Sequence, residues 1–137
     1  RLQSKDARYY RYSPTRRIAH NRAMTPVVLQ PLDESAYHRR LAQTPGLTLV
    51  LFSSPTCGTC RMVERQLPLS APLATHLFKV DVQVDSALAQ AFEVFHLPTL
   101  LLYVEGHYHA RLNCEVTPVK LSAAIEHALL QPAEEEP

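Results

Sequence analysis

The chain has no tryptophan, only three glycines and only three cysteines in 137 residues. Three cysteines are too few for the disulfide framework of a small secreted protein. Basic and acidic residues nearly cancel, 14 against 13, so the chain as a whole is not an obvious nucleic-acid binder. No apolar run approaches the length needed to cross a bilayer. What remains is a chain of one-domain length, 46% hydrophobic, able to bury a core without covalent staples.

The three glycines fall where the chain must turn. Pro45-Gly46 ends a helical pattern, Gly58 lies between two cysteines, and Glu105-Gly106 separates two strand patterns as a hairpin signal. The middle one is the centre of the sequence. Leu47 to Phe52 is an apolar run of the kind buried on both faces of a sheet. Ser53-Ser54-Pro55-Thr56 follows, then Cys57-Gly58-Thr59-Cys60, then a helical pattern. A strand that delivers a C-x-x-C to a helix N-terminus sets the first thiol among unpaired N–H groups, where a thiolate is favoured. The thiolate is the attacking species in disulfide exchange. Two other readings of the pair stay open. One is a bare structural disulfide. The other is a zinc site completed by Cys114 and either His107 or His109, since tetrahedral zinc needs four ligands.

Residues Arg1 to Ala23 differ in kind. Seven basic residues face a lone Asp6, with Tyr9, Tyr10 and Tyr12 interleaved and no sustained period. Such a segment can pair phosphates and stack bases. Its low apolar content favours a flexible tail, or residues translated from upstream of a start at Met24. We therefore divide the chain into a basic tail (1–23), one domain (24–131) and a disordered acidic end (132–137).

Within the domain, Val27 to Leu29 reads as extended, and Asp33 as the N-cap of a helix running to about Gln43. After Cys60 the helix is expected to break or kink at Pro68 and resume to about His76. Leu77 to Val82 reads as a second buried strand. A helix capped by Asp85 or Ser86 follows, running to about Phe95. Thr99 to Val104 and Tyr108 to Asn113 form the hairpin. Thr117-Pro118 opens a last helix with Leu121, Ala124, Ile125, Ala128 and Leu129 on one face. The order β-α-β-α-β-α-β-β-α is an α/β pattern that closes on an antiparallel hairpin.

Two segments together, L-V-L-F-S-S-P-T-C-G-T-C and K-V-D-V…L-A-Q-A-F-E-V…L-P-T-L, resemble the thioredoxin family in content, order and separation. The resemblance covers about Val27 to Leu130. It implies the thioredoxin fold, a mixed central β-sheet with helices on both faces. It implies a thiol-disulfide oxidoreductase in which Cys57 attacks a substrate disulfide and Cys60 resolves the mixed disulfide. It further implies that Pro98 is cis and that Gly58, Thr59, Leu97, Pro98 and Cys114 border the substrate. No cofactor is implied beyond a redox-active Cys57–Cys60 disulfide. The implied partners are protein disulfides and a reductase or low-molecular-weight thiol as electron donor, with no nucleic acid and no membrane. Cys114, left over beside the C-x-x-C, fits a reducing, cytoplasmic compartment.

Four departures qualify the resemblance. Leu51 stands where the family commonly has a buried acid that takes the proton of the second cysteine. Thr56 replaces the tryptophan before the first cysteine. Thr59 replaces the proline between the cysteines, and Cys114 replaces a glycine of the groove. A domain of the same shape that binds or assembles with little turnover is therefore the alternative function. Lys79 would lie near the missing acid, either favouring a cysteine thiolate or extending to solvent. His96, His107 and His109 read as surface or hairpin residues.

Overall fold

The computed structural model describes residues 27–137; the expectations for residues 1–23 and for Met24 as a start lie outside them. The elements, in chain order, are β1 (Leu29–Pro31), α1 (Tyr37–Ala42), β2 (Leu47–Ser53), α2 (Gly58–Ser70), β3 (His76–Asp81), α3 (Ser86–Ala91), β4 (Thr99–Val104), β5 (His107–Leu112) and α4 (Pro118–Leu130). The strands form one sheet in the order β1-β3-β2-β4-β5. β1 and β2 run parallel to β3, while β4 is antiparallel to both β2 and β5.

The central strand β2 is buried at all seven positions. Alternation along it supplies two cores. Leu47, Leu49 and Leu51 join Leu100, Leu102 and the α4 residues Leu121, Ile125 and Leu129 on one face. Val50 and Phe52 join Val80, Leu101, Tyr103 and the α1 residues Tyr37 and Leu41 on the other. A run apolar at every position is what a strand covered by helices on both sides requires.

Three of the helices are shorter than the sequence pattern suggests, each for a local reason. Asp33 Oδ1 accepts hydrogen bonds from Ala36 N (3.0 Å) and Ser35 Oγ (2.7 Å), so it organises a turn, and α1 begins only at Tyr37. α2 runs through Pro68 and ends at Ser70, rather than resuming to His76. Its C-cap, Ala71, is extended at φ −67°, ψ 143°, because the following Pro72 disfavours the helical region. α3 stops at Ala91. Glu93 takes φ 55°, and Val94 N returns to Ala89 O (2.9 Å) while Glu93 N returns to Gln90 O (3.0 Å). That is a Schellman ending built on glutamate in place of glycine. The Arg111 guanidinium holds it from β5, donating to Phe92 O (2.6 Å) and Glu93 O (3.3 Å). α4 starts as its sequence predicts, with Thr117 Oγ1 accepting from Lys120 N at 3.2 Å and Pro118 next.

In the β4–β5 hairpin, Glu105 and Gly106 have φ 52° and 81°, the pair of left-handed residues a type I′ turn needs. A Cβ at Gly106 would sit 2.9 Å from Ala42 O, so the turn also packs hard on the end of α1. Gly106→Ala is expected to cost roughly 1–3 kcal/mol, read from the shift of the urea midpoint. No shift would mean that the hairpin moves away from α1 freely.

β5 carries a bulge. Leu102 pairs with Ala110 but Tyr103 pairs with Tyr108, which leaves His109 as the extra residue. Of the two readings of His109, surface or hairpin, the hairpin one holds: the bulge turns it inward. It is 1% exposed, and Nε2–H donates to Ala128 O of α4 at 2.7 Å. The acidic end, for which no order was expected, is tied to the same strand. Glu134 N donates to His109 O (2.7 Å) and Glu134 Oε1 accepts from Arg111 N (3.1 Å). A free strand edge presents unpaired N–H and C=O groups, and this segment satisfies two of them.

Candidate active site

Four strand ends meet at one end of the sheet. β2 ends at Ser53, and β4 starts beside it because the antiparallel register sets Phe52 opposite Thr99. β3 ends there too, with Val82 N donating to Ser53 O at 2.9 Å. β5 finishes at the same end, its Leu112 opposite Leu100. The sheet thus collects Cys57, Cys60, Pro98 and Cys114 from positions up to 57 residues apart.

Cys57 is the N-cap of α2, with extended backbone (φ −98°, ψ 111°), and its Sγ accepts a hydrogen bond from Cys60 N at 3.1 Å. A sulfur in a position usually held by serine or aspartate oxygen faces the helix's orphan N–H groups and its positive dipole end. The turn before it is tied by Cys57 N to Ser54 O (3.1 Å) and by the paired hydroxyls of Ser54 and Thr56 (3.1 Å). Gln83 donates to Thr56 Oγ1 (3.1 Å) from the end of β3, and Arg61 donates twice to Pro55 O. Thr56 therefore anchors the loop by hydrogen bonds.

The two thiols differ in environment. Cys57 is half-buried and Cys60 has no exposed surface. Burial pushes the Cys60 thiol up to about 11, and its hydrogen bond with Cys57 acts the same way. The Ser54 backbone N–H pulls against these, and the Glu64 charge adds to them. Gly58 faces open space: a Cβ there would meet nothing within 4 Å. Gly58 and Thr59 therefore present an open surface over the cysteines.

The Leu97–Pro98 peptide is cis. Both residues are half-buried, and Thr99 Oγ1 donates back to His96 O at 2.5 Å. Phe95, expected inside a longer α3, is 78% exposed because the helix ends four residues earlier. Cys114 stands two residues beyond β5, half-buried against the leucine-rich core, and burial raises its thiol. His109 is committed to Ala128, and among the described residues no three Cys, His, Asp or Glu side chains come together as a metal site.

Sequence reasoning passed over one charged group. Leu51 is fully buried and apolar, but Glu64 of α2 reaches the same end of the sheet. Its carboxylate accepts from Ser53 Oγ at 2.9 Å and pairs with Lys79 Nζ at 3.4 Å. Lys79 thus neither stands alone beside the thiols nor extends freely to solvent. A cleft of about 270 Å³ opens on these groups, lined by Ser53, Pro55, Arg61, Glu64, Lys79 and Asp81. The signal was the spacing Cys60-x-x-x-Glu64, one helical turn on the same face.

Comparison with known proteins agrees with this geometry. A family profile described as Thioredoxin matches residues 28–127. The thioredoxin of Chlamydia pneumoniae is 36% identical over 69 residues, covering 49% of this chain and 68% of that protein. Thioredoxin-2 of Saccharomyces cerevisiae is 33% identical over 82 residues, covering 58% of this chain and 79% of the yeast protein. A mutant thioredoxin from Halobacterium salinarum NRC-1 shares the fold, with a TM-score of 0.61 at 22% identity, over 84% of this chain and 99% of that one.

Proposed function

The chain belongs to the thioredoxin family, and from that membership we propose that it is a protein-disulfide reductase working through the Cys57–Cys60 dithiol. The family implies thiol-disulfide chemistry on protein substrates with a reductant behind it. The observation that carries the reading is the N-cap position of Cys57, its sulfur held by Cys60 N at 3.1 Å, with Cys60 buried beneath. Cys57 is the sulfur a substrate can reach, and Cys60 is the sulfur only Cys57 can reach.

In the proposed cycle Cys57 thiolate attacks a substrate disulfide, forming a mixed disulfide and releasing one substrate thiolate. Cys60 then attacks Cys57 Sγ, the second substrate thiolate leaves, and the Cys57–Cys60 disulfide remains. That disulfide is the only redox group required. A reductase or a low-molecular-weight thiol regenerates the dithiol. Leu97 and Pro98 offer backbone to an extended substrate, beside Gly58 and Thr59. Cys114 borders the same end of the sheet, and its unpaired thiol suits a reducing compartment such as the cytoplasm.

The buried Leu51 favours a second reading, a module of this fold that binds partners and turns over little substrate. Reduction of insulin by dithiothreitol separates the two. The reductase is expected to bring on insulin precipitation at least about tenfold faster than dithiothreitol alone, a barrier lower by roughly 1.4 kcal/mol or more. Precipitation at the dithiothreitol rate would end the reductase reading and leave the binding module.

A further inference from the structure

The resolving step needs a thiolate at Cys60, yet that thiol sits in the position least suited to lose its proton. It has no exposed surface, so hydroxide and buffer do not reach it directly. A disulfide exchange completed from such a thiol at neutral pH calls for a base inside the protein, within hydrogen-bond reach or one water away.

Glu64 is the carboxylate that its helix position and its partners set toward this role. It lies four residues after Cys60 on α2, which places the two side chains on adjacent turns of one helix face. The carboxylate is held from two strands, by Ser53 Oγ of β2 at 2.9 Å and by Lys79 Nζ of β3 at 3.4 Å. Ser53 is joined directly to Ser54, which opens the loop that carries the cysteines. The side chain of Glu64 is 25% exposed, and the 270 Å³ cleft gives a proton a way out to solvent. Asp81, the other carboxylate of that cleft, is occupied by its own turn, accepting from Gln83 N at 2.9 Å.

We propose that Glu64 is the proton acceptor for Cys60 in the resolving step. The proposal rests on the disulfide-exchange reading above. In the mixed disulfide of Cys57 with a substrate sulfur, the Glu64 carboxylate takes the proton of the Cys60 thiol, directly or across one water. The Cys60 thiolate attacks Cys57 Sγ. The Cys57–Cys60 bond forms as the bond from Cys57 to the substrate sulfur breaks. The substrate sulfur leaves with the bonding pair and is protonated by the Glu64 carboxyl or by solvent. The cysteine pair is oxidised by two electrons and the substrate disulfide is reduced by two. Lys79 holds the carboxylate in place from β3 through the 3.4 Å ion pair.

Ellman's reagent tests this without a protein substrate. In a Cys114→Ser reference chain, reduced, attack by Cys57 releases one thionitrobenzoate and attack by Cys60 releases the second. Glu64→Gln is expected to leave the first release within about twofold and to slow the second at least about tenfold at pH 7. With its base removed, the second release should rise roughly tenfold per pH unit as more of the Cys60 thiol ionises, closing the gap to the reference at alkaline pH. Glu64→Asp, which retains a carboxylate, should recover part of the rate. Equal second-release rates and parallel pH profiles in folded Glu64→Gln would overturn the proposal. Should that variant not fold, Ser53→Ala carries the test: a slower second release is expected, and an unchanged one in both Ser53→Ala and Glu64→Asp overturns it. A reference chain that gives a first release but no second sinks the exchange reading itself. A reference giving both releases, with Glu64→Gln matching it, sinks the role of Glu64 alone.

Discussion

Cys57→Ser is expected to drop insulin reduction to the rate of dithiothreitol alone, a loss of at least about tenfold, while the protein stays folded. The hydroxyl of serine is not ionised near neutral pH, so the N-cap position has no anion to present, although an oxygen caps a helix as well as sulfur does. Cys57 is half-buried and packs in neither core, so little stability is at stake. Cys60→Ser should fail differently. Its Cys57 still attacks, but nothing resolves the product, and the mixed disulfide accumulates. Incubation with an oxidised peptide followed by intact-mass measurement should show one peptide bound to most of the Cys60→Ser chains and to few of the wild-type chains. Activity retained in Cys57→Ser would place the chemistry on another thiol. Failure of Cys60→Ser to retain peptide would mean that Cys60 is not the resolving group.

The second large effect is expected in the core. Tyr37 has no exposed surface, and its ring packs against Phe52, Phe92 and Tyr103 at centroid distances of 6.2, 5.2 and 6.2 Å. Its hydroxyl and that of Tyr103 share a hydrogen bond of 2.8 Å. Tyr37→Ala should cost about 3–5 kcal/mol from lost burial and the cavity left behind. Tyr103 would also lose its partner in a buried site, a further cost of about 1–3 kcal/mol. Against a typical total of about 5–15 kcal/mol, that removes most of the stability. Tyr37→Phe isolates the polar part and should cost about 1–3 kcal/mol. Urea unfolding followed by circular dichroism measures both. A loss under about 1 kcal/mol for Tyr37→Ala would mean that the core collapses around the gap.

Both predictions involve residues that the sequence marks unequally. Cys57 and Cys60 were legible because their signal is local: an apolar strand, a four-residue turn and a helix, contiguous in the chain. Thr117-Pro118 and the Glu105-Gly106 turn were legible for the same reason, and all three appear in the structure where expected. Tyr37 showed its helical face but gave no sign of Tyr103, 66 residues away. The ends of α2 and α3 were misread where the deciding groups lie outside the periodic pattern. Pro72 acts on the residue before it, and Arg111 reaches back from β5 to hold the last carbonyls of α3.

The sequence by itself determined the class of fold, the strand order along the chain and the thiol pair, because these rest on periodicity and on short-range turn chemistry. The tertiary structure alone decided which charged groups attend the thiols. The absence of an acid at position 51 was plain in the sequence, but whether another carboxylate takes the place depends on register. Parallel pairing sets Leu51 beside Lys79 and Ser53 beside Asp81, and α2 lays Glu64 over that end of the sheet. His109 followed the same rule. One extra residue in β5 turns a hairpin histidine into a buried tie to α4. Electrostatics and hydrogen bonding act over a few ångströms in space, and only the packed sheet says which residues are that close.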